Sequence, residues 1–273
     1  MRRLFLLLII STCSTYCFSQ SNEVDHLRGN ITISPKIFSR NNITKEVIFS
    51  VNMDKANKDS FMYKTKLYDT AGNITKEIYP FLMGTSNTIF TYNTHNKIIK
   101  ESSPDRPSED VEYVYDPSDN LIAYYKKSNG KIMADTRYKY NGRQLIKKTD
   151  MVGDSDITRT EQYQYNKNGK IDSAIVIQSS LKYTEHYVNS NNTFIVSYAT
   201  KDLSGTDSAI YNNSNQLIKT VKIEKTPTYL TQVSIIFTYN IDGTLQQENV
   251  TSIMQEGAFL SQQHTLYNHY YLQ

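Results

Sequence analysis

Beyond its first residues, the chain alternates apolar and polar positions in short runs that polar turn residues separate. In the run before Tyr140, for example, Ala134, Thr136 and Tyr138 share one face, while Asp135, Arg137 and Lys139 share the other. A period of two residues is typical of a β-strand whose two faces differ. The pattern continues to the C-terminus, and it predicts an all-β protein.

A dipeptide, Tyr-Asp or Tyr-Asn, recurs along the chain at steps of 22 to 28 residues, if Tyr187 is counted as one degenerate copy. Repeats of this length are best examined before any other feature. The dipeptides are Tyr68-Asp69, Tyr92-Asn93, Tyr115-Asp116, Tyr140-Asn141, Tyr165-Asn166, Tyr211-Asn212, Tyr239-Asn240 and Tyr267-Asn268.

Other residue classes recur at fixed distances from the tyrosine. Six residues later comes Ile or Leu, such as Ile74, and four residues later comes Gly, Asn or Asp, including Gly72, Gly169 and Gly243. Asp or Asn followed three residues on by Gly is typical of a tight turn with a left-handed last residue. Each repeat is therefore interpreted as a β-hairpin, in which Tyr68 faces Ile74 across the two strands.

The repeats predict an antiparallel meander of about nine β-hairpins that forms a curved, coiled or flattened-barrel sheet. The repeat domain is expected over residues 61–273. Residues 20–60 lack the dipeptide, and residues 31–33 and 47–49 read as strands of an atypical N-terminal cap. Because each repeat touches its neighbours, stability is expected to be roughly additive along the array.

The motif Tyr-x-Tyr-Asp/Asn-x-x-Gly-x-Leu/Ile resembles the YD, or RHS, repeat of bacterial secreted and surface proteins. Residues 163–171, with the sequence YQYNKNGKI, are the copy most similar to it. In large members the repeats form a shell around a C-terminal toxin, but here they continue to Tyr267. The resemblance therefore implies a small secreted protein without a toxin domain. It implies no catalytic residue, because the motif residues build turns and strand pairs.

The first residues have a different pattern. Arg2 and Arg3 precede an unbroken apolar run from residue 4 to residue 10, and small and polar residues follow. This order predicts a secretory signal peptide over residues 1–19, and the run is too short to span a bilayer. The alternative is a lipoprotein signal with the lipid on Cys13. Both cysteines, Cys13 and Cys17, lie in this segment, so a chain from which residues 1–19 are removed would contain none.

Composition excludes several classes of protein. The chain has 273 residues with a net charge of +3, and removal of the signal leaves 28 basic and 27 acidic residues, so nucleic acid is not an expected partner. The five histidines form no zinc-protease motif, and neither a phosphate-binding loop nor a nucleophile elbow occurs. We expect no catalytic residue, no metal site and no cofactor.

The expected function is that of an exported module, extracellular, periplasmic or surface-attached, that binds a protein or a glycan of the cell envelope. Tyr113, Tyr138 and Tyr163, two residues before a motif tyrosine, are candidates for stacking on a ligand, although the packed face of the sheet is the preferred explanation of the tyrosines. Contact with a membrane is expected only through a lipid on Cys13. The alternatives are a glycan-active enzyme with carboxylates in a groove and an outer-membrane β-barrel.

Overall fold

The structure, a computed structural model, describes residues 35–54, 59–81, 84–153, 156–190 and 192–273. The signal peptide, Cys13 and the expected strand at residues 31–33 lie outside these residues. The described residues form one helix and eighteen strands, which confirms the all-β prediction. The helix is the element that the strand pattern did not predict.

Helix α1 spans Pro35–Arg40. The strands are β1 (Lys45–Asn52), β2 (Ser60–Tyr68), β3 (Ile74–Phe81), β4 (Gly84–Tyr92), β5 (Ile98–Ser102), β6 (Glu109–Tyr115), β7 (Leu121–Ser128), β8 (Lys131–Asn141), β9 (Gln144–Val152), β10 (Asp156–Tyr165), β11 (Ile171–Gln178), β12 (Leu181–Ser190), β13 (Thr193–Ala199), β14 (Ser204–Tyr211), β15 (Leu217–Lys225), β16 (Tyr229–Tyr239), β17 (Leu245–Glu256) and β18 (Phe259–Leu272).

The strands form one closed barrel in chain order. Each strand pairs antiparallel with the next, from β1–β2 through to β17–β18. Strand β1 also pairs with β18, from Lys45 opposite Leu272 to Asn52 opposite Thr265. This seam gives each of the eighteen described strands two neighbours, so none of them is an edge strand. The meander of hairpins is confirmed, and its sheet closes.

The connections alternate between two ends of the barrel. The end with the Tyr-Asp and Tyr-Asn turns, which connect β2 to β3, β4 to β5 and so on, is called the motif end. The opposite end, which contains the connections from β1 to β2, from β3 to β4 and so on to β17–β18, is called the far end. Because the strands are antiparallel neighbours, all turns of one kind lie at the same end.

The acid or amide after the motif tyrosine builds the turn at the motif end. The Asp69 carboxylate accepts hydrogen bonds from the backbone N–H groups of Ala71 and Asn73, both at 2.9 Å. Gly72 donates its N–H to the Asp69 carbonyl at 3.0 Å and has a φ of +83°. The same pair of side-chain bonds recurs at Asn93, Asp116, Asn166 and Asn212.

Each motif tyrosine before such a turn lies opposite the Ile or Leu six residues later, at a shift in the strand register. The pairs are Tyr68–Ile74, Tyr92–Ile98, Tyr115–Leu121, Tyr165–Ile171, Tyr211–Leu217 and Tyr239–Leu245. Tyr140 and Asn141 end a tighter hairpin, in which Asn141 itself pairs with Gln144.

Two copies of the dipeptide lie in a register that the sequence did not predict. Tyr267 and Asn268 lie inside β18, where Asn268 faces Phe49 of β1, so the expected turn there is wrong. In most other copies, Gly, Asn or Asp follows the motif tyrosine four positions later and favours the left-handed backbone of the turn. In this copy that position is Tyr271. In the degenerate copy, Asn189 occupies the strand position of the motif tyrosine and pairs with Phe194. Tyr187 lies two residues before that position.

Helix α1 packs on the motif end beside the seam. The Phe38 ring stacks on the Tyr68 ring, with centroids 4.3 Å apart. The Ser39 hydroxyl donates to the Thr70 carbonyl at 2.9 Å. The expected cap therefore contributes a helix against the barrel end and a strand, β1, within the barrel wall.

Candidate functional site

The inward face of the barrel is built in layers, and the layer nearest the motif end is apolar. The motif tyrosines and their Ile and Leu partners belong to two buried clusters, one of which includes Phe38 of α1. Aromatic and branched side chains that face each other across neighbouring strands stabilise a sheet by roughly 0.2–1 kcal/mol a pair. This layer fills the interior of the barrel near the motif end with two apolar clusters.

The hydroxyl groups of several tyrosines at the motif end join a repeat to the one before it. The Tyr92 hydroxyl donates to the Ile74 carbonyl at 2.7 Å, and Tyr115 donates to the Ile98 carbonyl at 2.9 Å. The same bond joins Tyr165 to Leu145, Tyr239 to Leu217 and Tyr271 to Leu245. Tyr271 thus takes the place that the sequence assigned to Tyr267.

The tyrosines proposed for ligand stacking are part of the packed wall. Tyr113 and Tyr163 are buried, and their hydroxyls donate to Glu101 and Glu161. Tyr138 is partly buried and packs against the second apolar cluster. Tyr113 and Tyr163 therefore do not lie on an open surface, and their hydroxyl groups are occupied by hydrogen bonds to buried or partly buried carboxylates.

A charged layer lies above the apolar one, and its first cluster straddles the seam. The Glu46 carboxylate accepts from Tyr68 at 2.6 Å and lies 3.1 Å from the Lys66 ammonium. His269 lies between two carboxylates, with Nδ1 2.6 Å from Glu46 and Nε2 3.1 Å from Glu248. Residues from β1, β2, β17 and β18 thus meet in one ion-paired group.

Burial and neighbouring charges shift the pKa values of this seam cluster. Burial raises the pKa of Glu46, but the Lys66 charge and the bond from His269 outweigh it and hold that pKa well below its usual range. Burial lowers the pKa of His269, but Glu248 and Glu46 outweigh it and raise that pKa above its usual value. The cluster is therefore most stable with the histidine charged.

A second charged cluster lies on β9 to β12. The Arg159 guanidinium donates to Glu161 at 2.6 Å, to Glu185 at 2.9 Å and to the Tyr183 hydroxyl at 3.0 Å. Lys148 lies 3.8 Å from Glu161. Fully buried charges are stable only when they are paired in this way. These carboxylates thus neutralise the charges of Arg159 and Lys148.

Towards the far end the interior becomes accessible to water. The inward-facing side chains of Lys126, Gln178 and Lys222 are exposed. None of the described residues form a group of three or more His, Cys, Asp or Glu side chains that could hold a metal ion.

The far end carries an unusual concentration of exposed apolar side chains. One group, called patch one, lies on β17, β18, β2 and β3, on either side of the seam, and comprises Met254, Phe259, Leu260, Phe61, Met62 and Phe81. A second group, called patch two, lies on β8 to β12 and comprises Met133, Val152, Ile157, Ile177 and Leu181. The two patches together are called the far-end rim. Sequence reasoning missed it, because the residues are spread over six connections that are far apart in the sequence.

The outward face differs around the barrel. On β5 to β8 it carries ion pairs, with Lys100 2.9 Å from Asp110, Lys127 2.6 Å from Glu112, and Arg137 2.8 Å from Asp135. On β13 and β14 the outward side chains are uncharged, and they are Thr193, Ile195, Ser197, Ala199, Ser204, Thr206, Ser208 and Ile210. The outer surface thus has a charged side and an uncharged side.

A shallow groove of about 310 Å³ lies on the outward face of β12 to β15. His186, Ser197, Thr206 and Ile223 form one row across it, and Lys225 borders it. The groove is open to solvent along its length and brings together no pair of groups suited to acid–base chemistry.

Comparisons with known proteins give one solved structure to report. No family model matches the chain, and no curated protein matches it. A porin-like protein from Bacteroides uniformis ATCC 8492 is similar in structure, with a TM-score of 0.46 and 9% identity, over 84% of this chain and 96% of that one. None of the described helices is long and apolar enough to cross a membrane.

Proposed function

We propose that this chain is an exported, non-enzymatic β-barrel of the cell envelope that binds its partner, a protein or a glycan, through the far-end rim. The observation that carries the proposal is the gathering of eleven exposed, large apolar side chains at one end of the barrel. Monomeric soluble proteins rarely expose apolar patches of more than a few hundred Å², and larger ones are typical of interaction surfaces.

The interior supports a structural rather than a catalytic role. A glycosidase needs two carboxyl groups that face each other across a space for the sugar. Here Glu161 and Glu185 both bind Arg159, while Glu46 and Glu248 both face His269. Each pair of carboxylates is therefore bridged by a cation in place of a substrate.

The ion pairs on β5 to β8 favour a position outside the lipid bilayer. A membrane-spanning strand needs about 9–11 residues and a lipid-facing side without charge. Strands β5, β6 and β7 have 5, 7 and 8 residues and point Lys100, Glu112 and Lys127 outwards. Burying these charges in lipid would cost several kcal/mol.

The second candidate function is that of an outer-membrane barrel. The closed antiparallel meander of eighteen strands favours it, as do the uncharged outward side chains of β13 and β14. Strands β16, β17 and β18, with 11, 12 and 14 residues, are long enough to span a bilayer. The two candidate functions differ in whether water or lipid surrounds the charged outward face of β5 to β8.

Expression of residues 20–273 without the signal separates the two candidates, because it removes any contribution from a lipid on Cys13. A barrel that stands in water yields folded, strand-rich protein in buffer without detergent, as measured by circular dichroism. A chain that folds only in detergent micelles or lipid would establish the outer-membrane barrel instead.

Binding is tested on a glycan array and on an envelope extract with three forms of the same chain. These are the wild type, the double variant Phe61→Ser/Phe81→Ser, and Ile241→Ser, which removes a fully exposed apolar side chain at the motif end. We expect the rim variant alone to lose binding. Binding that survives in the rim variant would exclude the far-end rim as the site.

A further inference from the structure

We infer that the partner of the far-end rim is a second copy of this chain, docked end to end so that the two barrels share one axis. The inference rests on the proposed function, since it names the occupant of the same surface. Three features of the rim lead to it, and they are the position of the patches, their area and the charges around them.

The two patches lie on opposite sides of the barrel mouth. Patch one is centred on the seam between β18 and β1, and patch two on β10, nine strands away from β1 in a ring of eighteen. A two-fold axis across the mouth places an apolar patch of one copy against an apolar patch of the other on both sides at once. This self-complementarity is what a symmetric dimer requires.

The exposed area matches that of a stable interface. Phe81 is 66% exposed, Phe259 60% and Leu181 47%, and the other rim side chains lie in a similar range. Eleven such side chains, each about half exposed and with roughly 150–200 Å² of surface, present on the order of 1,000 Å². A standard protein interface buries about 800 Å² on each partner. A small ligand would cover only a fraction of this area.

The charges around the rim favour a protein surface over a lipid surface. Among the described residues, exposed acids next to the far-end connections are about as frequent as exposed bases, and Lys126 and Lys222 lie further inside the barrel. The acids are Asp54, Asp59, Asp105, Asp156, Asp202 and Glu256, and the bases are Arg106, Lys131, Lys182, Lys201 and Lys225. A rim that enters an anionic membrane surface is expected to carry mainly Lys and Arg. A rim of both signs in near balance can instead pair with itself.

Sedimentation velocity of residues 20–273 in detergent-free buffer tests the inference. Protein concentrations of about 1 to 100 µM cover the dissociation constants expected of a moderate interface. We expect a species of twice the mass of one chain. Phe61→Ser/Phe81→Ser and Val152→Ser/Leu181→Ser, one variant for each patch, should each weaken the dimer at least tenfold. Ile241→Ser, at the motif end, should leave it unchanged. A wild type that stays monomeric at 100 µM, or a dimer that both rim variants retain, would overturn the inference.

A cross-linking experiment gives the orientation, because the chain after residue 19 contains no cysteine. Phe259→Cys at the far end should form covalent dimers with a long bifunctional maleimide, whereas Asp242→Cys at the motif end should not. Efficient cross-linking through Asp242→Cys alone would contradict the end-to-end arrangement.

Two further outcomes separate this inference from the proposed function. A monomeric chain whose rim variants still lose their envelope or glycan partner would refute self-association alone. Rim variants with no effect on either measurement would refute both. Co-sedimentation of the wild type with phosphatidylcholine vesicles, abolished by the rim substitutions, would assign the rim to lipid and overturn the second copy as its occupant.

Discussion

Gly72 is the residue that fixes the distance between α1 and the barrel. Its φ is +83°, and a Cβ at this position would lie 2.0 Å from the Pro35 carbonyl oxygen. Backbone therefore meets backbone here, and neither side has a flexible group that could move away. A left-handed conformation alone costs a non-glycine residue roughly 1–2 kcal/mol.

Replacing Gly72 by Ala tests this contact. We expect Gly72→Ala to lower the free energy of unfolding by about 2–4 kcal/mol, because a backbone clash adds to the left-handed conformation. The matched control is Gly169→Ala, where φ is +74° but the nearest atom is a side-chain nitrogen 3.7 Å away. Its cost should be about 1 kcal/mol. Urea unfolding measures both, and equal losses would show that the contact with α1 is unimportant.

His269 makes the stability of the seam depend on pH. Its folded pKa is raised above 6.5, so its contribution is complete at lower pH and disappears as the pH rises through the folded pKa. The pKa of Glu46 is lowered below 4.5, so its contribution is present above that pH and is lost on acidification. Together they predict maximal stability in weakly acidic solution.

The urea midpoint of the wild type is therefore expected to fall between pH 6 and pH 9. His269→Gln should be less stable at pH 6 and nearly independent of pH across this range. His186→Gln, an exposed and outward position, should behave like the wild type. An unchanged slope in His269→Gln would show that another group is responsible.

At the scale of the hairpin, the tyrosine hydroxyls add side-chain hydrogen bonds between neighbouring hairpins to the backbone bonds of the strand pairs. We expect Tyr92→Phe and Tyr239→Phe each to lower the free energy of unfolding by about 1–2 kcal/mol, because a partly buried carbonyl loses its donor. Their effects should add, since the two sites lie on different repeats. Tyr270→Phe, with an outward and largely exposed ring, should change stability by less than about 0.5 kcal/mol. Chemical denaturation of the three single variants and the double variant measures these differences.

The hairpins were predictable because their determinants are local. The Asp69 carboxylate, the left-handed Gly72 and the pair Tyr68–Ile74 all lie within seven residues of chain. The charged layer was not predictable, because it joins Glu46 to His269 across more than two hundred residues. The far-end rim was not predictable for the same reason, because residues such as Phe61 and Leu181 are far apart in the sequence and share no motif. The resemblance to YD or RHS repeats stays a prediction.

For the whole molecule, closure changes the expectation that stability adds up along an open array. Strand β1 pairs with both β2 and β18, so the chain ends are coupled through the seam. A chain without residues 259–273 leaves β1 and β17 each with an unpaired edge, which favours aggregation. A chain without the hairpin at residues 156–178 can close again with two strands fewer.

We expect the first deletion to abolish soluble, folded protein and the second to retain it with reduced stability. Size-exclusion chromatography and cooperative urea unfolding, followed by far-ultraviolet circular dichroism, distinguish the two results. A soluble, cooperative barrel without β18 would show that the seam is dispensable.

The antiparallel seam also constrains how many strands the barrel can gain or lose when repeats are duplicated or deleted. Because β1 and β18 meet in opposite directions, the ring closes only with an even number of strands. Duplication or loss of one unit, such as the 24 residues from Tyr68 to Thr91, always adds or removes two strands. Relatives of different length can therefore differ in circumference by whole hairpins while the same two terminal strands meet in the same sense.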